Sequence, residues 1–195
     1  MALANYSDLQ TSIASWLNRD DLVSVIPDFI KLAEVKLNAL LRMPQMVKEV
    51  TLTPDADGIA ALPTDCLEVL SVRDGRYALD PLSVDLLVRS PGYNLSGEAL
   101  NYAQAGMELW LAPKTSAPVT LQYLAAITPL ASNSTNWLLV LAPDLYLFGA
   151  LAASAPFLRD DARLPVWKQM HDEAAAVLTL RYPMVAAGPL QMRAI

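Results

Sequence analysis

From residue 137 to 158 the chain is apolar at nearly every position, and Asp144 carries the only charge. The pattern predicts a helix over about 142–157, with Pro143 near its first position, where a missing N–H costs nothing. Such a helix has no polar face. It must be covered on every side, by lipid, by its own domain or by neighbouring copies. A second helix is predicted over 164–181, with Trp167, Met170, Ala174, Val177, Leu178 and Arg181 lining one face. Tyr182-Pro183 stops it. At the other end, Ser7-Asp8-Leu9-Gln10 has the form of a capping box and opens a helix over 6–18. Leu9, Ile13, Trp16 and Leu17 fall on one side of it. Another helix runs over 27–42, with Pro27 at its start and Ile26, Phe29, Ile30, Ala33, Leu37, Leu40 and Leu41 at helical spacing. Met43-Pro44 ends it.

Between these helices the period changes to two. Val50 and Leu52 alternate with Thr51 and Thr53, a turn follows at Pro54-Asp55-Ala56-Asp57-Gly58, and residues 59–62 return as a strand. Residues 68–73 form another strand, closed by Asp74-Gly75, a strong hairpin signal, with 77–79 pairing back. A short helix is expected within 81–90. Strands over 99–104, 107–111 and 119–124 complete the region. Short strands at this spacing indicate a small antiparallel sandwich or barrel. The expected class is α+β. An antiparallel helical bundle is built from 1–44 and 127–182, a β module over 45–126 is inserted in it, and 183–195 is an extended tail.

Composition narrows the options for the apolar helix. The chain of 195 residues is 54% apolar, 17% charged and carries a net charge of -6. It is too hydrophobic to be disordered. Pro143 and Asp144 leave about 14 uninterrupted residues before Arg159, short of the ~20 a bilayer requires. No Lys/Arg cluster flanks the segment, so the pattern argues against a membrane span. Basic residues are scattered and no basic stripe alternates with aromatics, which argues against sequence-specific DNA binding. The first residues show no basic n-region or apolar h-region, so no signal peptide is expected. A single cysteine, Cys66, allows no intrachain disulfide and fits a reducing compartment.

Candidate chemistry is sparse. His171 is the only histidine and stands beside Asp172 and Glu173, a combination that suits a general base or part of a metal site. The simpler reading is an exposed helix residue among charges. Asp160-Asp161 suits a hard cation, or more simply caps the last helix. Asp55-Ala56-Asp57-Gly58 echoes a calcium loop, but its ligand run and distal Glu are missing, so it reads as a turn. Cys66 reads as a small buried hydrophobe, and Trp16, Trp110, Trp137 and Trp167 as packing residues. No nucleophile elbow and no glycine-rich phosphate loop is present. No catalytic, cofactor or metal residue is assigned.

Three blocks carry a resemblance. The first runs from Tyr6-Ser7-Asp8-Leu9 through Trp16-Leu17-Asn18-Arg19-Asp20-Asp21 to Pro27-Asp28-Phe29-Ile30. The second is the Leu62-Pro63-Thr64-Asp65 strand entry with Leu109-Trp110-Leu111-Ala112-Pro113 and Leu121-Gln122-Tyr123. The third is Ala142-Pro143-Asp144-Leu145-Tyr146 through Pro156-Phe157-Leu158-Arg159-Asp160-Asp161 to Trp167. Over residues 6–182 the chain resembles the head-to-tail adaptor proteins of tailed bacteriophages. The resemblance implies a structural virion protein, made in the bacterial host cytoplasm and placed in the neck between capsid and tail. It implies a homo-oligomeric ring, commonly of twelve copies, docked on the portal protein and meeting a tail nozzle, with double-stranded DNA passing through its bore. On that reading Trp137, Leu145, Phe148, Leu151, Phe157 and Trp167 are candidates for the subunit interface. Met184, Val185, Leu190, Met192, Arg193 and Ile195 are candidates for a portal-binding tail. An acidic chain suits a bore through which DNA slides without sticking. Other phage neck or tail rings, and a small hydrolase using His171, are the competing readings.

Overall fold

A computed structural model describes residues 3–19, 21–158 and 162–184. The protein is α+β. Its chain divides into a helical unit of residues 1–45 and 127–195 and a β unit of residues 46–126.

In the helical unit, α1 (Tyr6–Leu17) is capped by Asn5, not by a Ser7 capping box. The Asn5 Oδ1 accepts from the Asp8 N–H at 2.9 Å, and its amide donates to the Asp8 carboxylate at 3.1 Å. This earlier cap leaves Ser7 inside the helix and frees the Tyr6 N–H to donate to the Ser134 carbonyl at 2.7 Å. Leu9, Ile13 and Leu17 are buried as expected, while Trp16 is exposed. Helix α2 (Ile26–Leu40) starts with Pro27 in its first turn. Leu40, expected on the buried face, is exposed. Extended backbone begins at Leu41, which enters the core in its place.

The apolar segment is broken in two, α4 (Trp137–Leu141) and α5 (Pro143–Leu158). Pro143 disfavours helical backbone at Ala142, which has φ -145° and ψ 72°. α5 packs on α1, α2, α4 and α6 (Leu164–Arg181). Leu145, Tyr146, Ala150, Leu151, Ser154 and Ala155 are fully buried. Most of the cover that an all-apolar helix needs therefore comes from its own unit. On α6 the buried stripe is Trp167, His171, Ala175 and Leu178. Met170 and Val177, expected beside Trp167, lie on the solvent side. His171 is correspondingly buried and not an exposed residue among charges.

The β unit holds two four-stranded sheets. In the first, β1 (Val47–Leu52), β8 (Val119–Ala125), β3 (Cys66–Asp74) and β4 (Tyr77–Ala78) lie in that order. In the second the order is β2 (Ile59–Ala61), β7 (Glu108–Ala112), β6 (Asn101–Ala105) and β5 (Asp80–Pro81). All pairs are antiparallel except β5 with β6. The turn after β1 does not make a hairpin. β1 pairs with β8 and β2 with β7, so the chain crosses between sheets there. The hairpin at Asp74-Gly75 does form, with Asp74 opposite Tyr77 and Gly75 at φ +56°. Val72, Leu121 and Val119 from one sheet meet Leu109, Leu111 and Tyr102 from the other in one core, as in a sandwich. Helix α3 (Val84–Arg89), capped by Ser83, covers the second sheet through Leu87, which packs on Ala103 and Ala112.

Candidate functional site

A long loop connects β8 to α4, and its polar groups are tied to the helical unit one by one. The Asn38 Oδ1 accepts from the Ile127 N–H and the Glu34 Oε1 from the Leu130 N–H, each at 2.8 Å. Asn136 then closes the loop. Its amide donates to the Thr128 carbonyl and to the Tyr146 hydroxyl, both at 2.7 Å, and its Oδ1 caps α4 at the Leu139 N–H at 2.9 Å. Burial raises the Glu34 carboxyl above its ordinary range, and the hydrogen bond from Leu130 only partly opposes this. Burial likewise pushes the Tyr146 hydroxyl up, with Asn136 opposing. These buried polar groups are satisfied, so they fix the geometry of α2, α4 and α5.

On this frame two helices carry apolar residues toward solvent. Val166, Met170, Val177 and Leu180 repeat at four- and three-residue spacing on the outer side of α6, with Glu173 in the middle of the stripe. Val177 is 65% exposed and Leu180 81%. Between this stripe and the start of α5 lies an open groove of about 350 Å³, whose lining includes apolar Phe148, Met170, Ala174 and Val177 and charged Asp144, Glu173 and Arg181. Trp16 of α1 meets Phe148 edge-on at 5.7 Å. On α2 the outer side presents Leu32, Val35 and Ala39 as a ridge, flanked by Lys31 and Lys36, all exposed. Exposed apolar residues lined up on a helix face are candidates for contact with other chains.

The candidate interface residues separate by position. Leu145, Leu151 and Trp167 are buried in the unit's own core. Trp137 and Phe148 are half-buried. Phe157 is 58% exposed and rests edge-on against Phe29 at 5.6 Å. Of the candidate tail residues, Met184 is half-buried, while Val185, Leu190, Met192, Arg193 and Ile195 lie outside the described residues. So do Asp160 and Asp161. The His171 ring is packed against Gly149, and its Nδ1 lies 3.3 Å from the Asp172 carboxylate. Among the described residues no group of three or more His, Cys, Asp or Glu is arranged to hold a metal ion. Asp55 serves a turn, its Oδ1 accepting from the Asp57 and Ile59 N–H groups at 2.9 Å. Cys66 is half-buried against the sandwich core, and burial raises its thiol.

The α2 ridge is a surface that the buried-face pattern of the sequence does not include. Its signal was present: Leu32, Val35 and Ala39 repeat at helical spacing opposite Phe29, Ala33 and Leu37. On α6 the two apolar stripes lie about 100° apart, the rotation of one residue, so helical spacing alone does not separate them.

Helices that hold apolar stripes to solvent on a satisfied buried frame suit a protein that packs against other chains. A family model described as SU10 adaptor protein matches residues 4–193, and the chain belongs to that family of bacteriophage adaptor proteins. No curated protein matches it. Among the described residues no helix is long and apolar enough to cross a membrane.

Proposed function

We propose that copies of this chain form a ring, commonly of twelve, that docks on the portal and joins the capsid vertex to the tail. The observation that carries this reading is the family match over 4–193 on a chain whose helical unit exposes two different apolar faces. A ring needs a heterologous interface, and so two unlike faces on each subunit. Phe157, Phe148 and Trp137 are the candidate interface residues with surface left for a neighbour. Leu145, Leu151 and Trp167 support them from behind.

In this reading the helical unit makes the ring and the β unit of 46–126 meets the tail nozzle. The segment 183–195 reaches the portal. Double-stranded DNA passes through the bore, and a net charge of -6 keeps it from adhering. The ring belongs to the virion neck and is made in the host cytoplasm. No catalytic step, cofactor or metal enters. The buried His171 packs helices together.

Native mass measurement and negative-stain imaging, with and without portal protein, test the proposal. The expected result is a closed ring stacked on the portal. A chain that stays monomeric in both conditions overturns it. A ring that binds a tail component but not the portal favours a nozzle or completion ring instead. A bore lined by Lys and Arg overturns the account of DNA passage.

A further inference from the structure

We infer that the α2 ridge of one copy seats in the α5–α6 groove of the next, and that this pairing is the repeating contact of the ring. The inference rests on the ring reading and assigns its two faces. The ridge is Leu32, Val35 and Ala39, with Val35 61% exposed. The groove has Phe148, Met170 and Val177 in its walls. Side chains at i, i+3 and i+7 make a narrow ridge on a helix, and such ridges pack into grooves between the side chains of a facing helix.

Charge selects the same pairing. Lys31 and Lys36 flank the ridge on its two sides, and neither forms an ion pair among the described residues. The groove lining includes the Asp144 and Glu173 carboxylates and the Arg181 guanidinium. Asp28 begins the ridge, so each face holds two charges of its main sign and one of the other. Exposed charge pairs contribute little affinity, but they fix register and exclude like-with-like contacts. Ridge against ridge sets lysines together, and groove against groove sets carboxylates together. The ridge residues all belong to α2 and the groove residues to α4, α5, α6 and the Ala142 link, with none shared, and α2 and α6 pack on opposite flanks of Gly149 through Ala33 and His171. Ridge and groove are therefore separate surfaces of one unit, as head-to-tail association requires.

The test uses the full chain with Lys31→Glu and Lys36→Glu together, and separately with Glu173→Lys. All three positions are exposed, and circular dichroism checks that each variant folds. Assembly is read by native mass and negative stain, with portal present. Each charge reversal alone is expected to reduce the assembled fraction at least about tenfold. An equimolar mixture of the two is expected to recover rings with alternating subunits. In it the reversed ridge meets the reversed groove, and the native ridge meets the native groove. Rings at the wild-type level from either variant alone overturn the pairing and leave the ring reading standing. Loss in both without recovery on mixing also overturns the pairing. A wild-type chain that forms no ring, with or without portal, overturns both. As a second measurement, Val35→Cys and Val177→Cys in a Cys66→Ala background are joined by a short bismaleimide. A ladder of linked subunits supports the pairing, and formed rings that yield only monomers overturn it.

Discussion

Gly149 of α5 faces His171 of α6 so closely that a methyl group at Gly149 would stand 3.3 Å from the imidazole Cδ2. On its other flank the same methyl would stand 3.1 Å from the Ala33 Cβ of α2. Both helices close on α5 at the one residue that has no side chain.

Gly149→Ala is therefore expected to destabilise the helical unit. Alanine gains about 1 kcal/mol over glycine inside a helix, whereas overpacking a filled contact costs about 1–3 kcal/mol. The Ala33 Cβ is fixed to its backbone and yields only if α2 shifts, so the cost wins. A net loss of about 1 kcal/mol corresponds to a fall in Tm of about 3 °C. Adding Ala33→Gly removes the nearest clash and should make the double variant less unstable than the sum of the two single changes. Thermal unfolding of the four chains checks this, and strict additivity would show that the contact does not limit the approach of α2.

Glu34 gives the helical unit a pH dependence of defined sign. Its carboxyl titrates higher in the folded chain than in the unfolded one because burial disfavours the charge. Stability from this group is complete below the unfolded value and falls as pH rises through the folded one. Glu34→Gln keeps an acceptor for the Leu130 N–H and removes the titration. The variant is expected to gain stability over wild type at neutral pH and to lose that advantage in acid. Urea unfolding at pH 3.5 and pH 7 reads the difference directly. A gain that is the same at both values counts against burial of the charge as its cause.

The helices were legible because each carries a local signal: Pro27 and Pro143 at starts, Tyr182-Pro183 at a stop, apolar residues at helical spacing. The Asp74-Gly75 hairpin was legible for the same reason. What escaped was non-local. The turn at 54–58 looks like a hairpin turn, and only the pairing of β1 with β8, some seventy residues on, shows that it links two sheets. His171 sits between Met170 and Asp172 and reads as surface, because its burial depends on a glycine of another helix. Local sequence likewise marked 137–158 as in need of cover, but how much of that cover α1, α2 and α6 supply is a property of the packed unit. The exposed ridge on α2 escaped because an apolar residue on a helix does not declare its partner until its own core is filled.

Asn136 should be the most sensitive polar position of the helical unit. Its side chain makes three hydrogen bonds, to Thr128, Tyr146 and Leu139. Asn136→Ala removes a cap and leaves the buried Tyr146 hydroxyl without that donor. Cap loss alone costs about 1 kcal/mol, and an unsatisfied buried group adds about 1–3 kcal/mol, so a loss of about 2–4 kcal/mol is expected. Asn136→Asp keeps the acceptor for Leu139 but not the donors, and should fall between the two. Chemical denaturation ranks the three chains. An alanine variant as stable as wild type would mean that water replaces all three contacts.

Removing residues 185–195 separates folding from attachment. Glu34, Asn38 and Asn136 tie α2, α4 and α5 to the connecting loop, and α1 joins it through the Tyr6 N–H, all within the described residues. The truncated chain is expected to keep the unfolding midpoint of the full chain. If the segment reaches into the portal, as proposed, affinity for the portal should fall by about tenfold or more, a loss of at least ~1.4 kcal/mol. The two quantities are measured on the same preparations, unfolding by heat and binding by sedimentation with purified portal rings. A lowered midpoint with unchanged portal binding would reverse the assignment and make the segment part of the helical core.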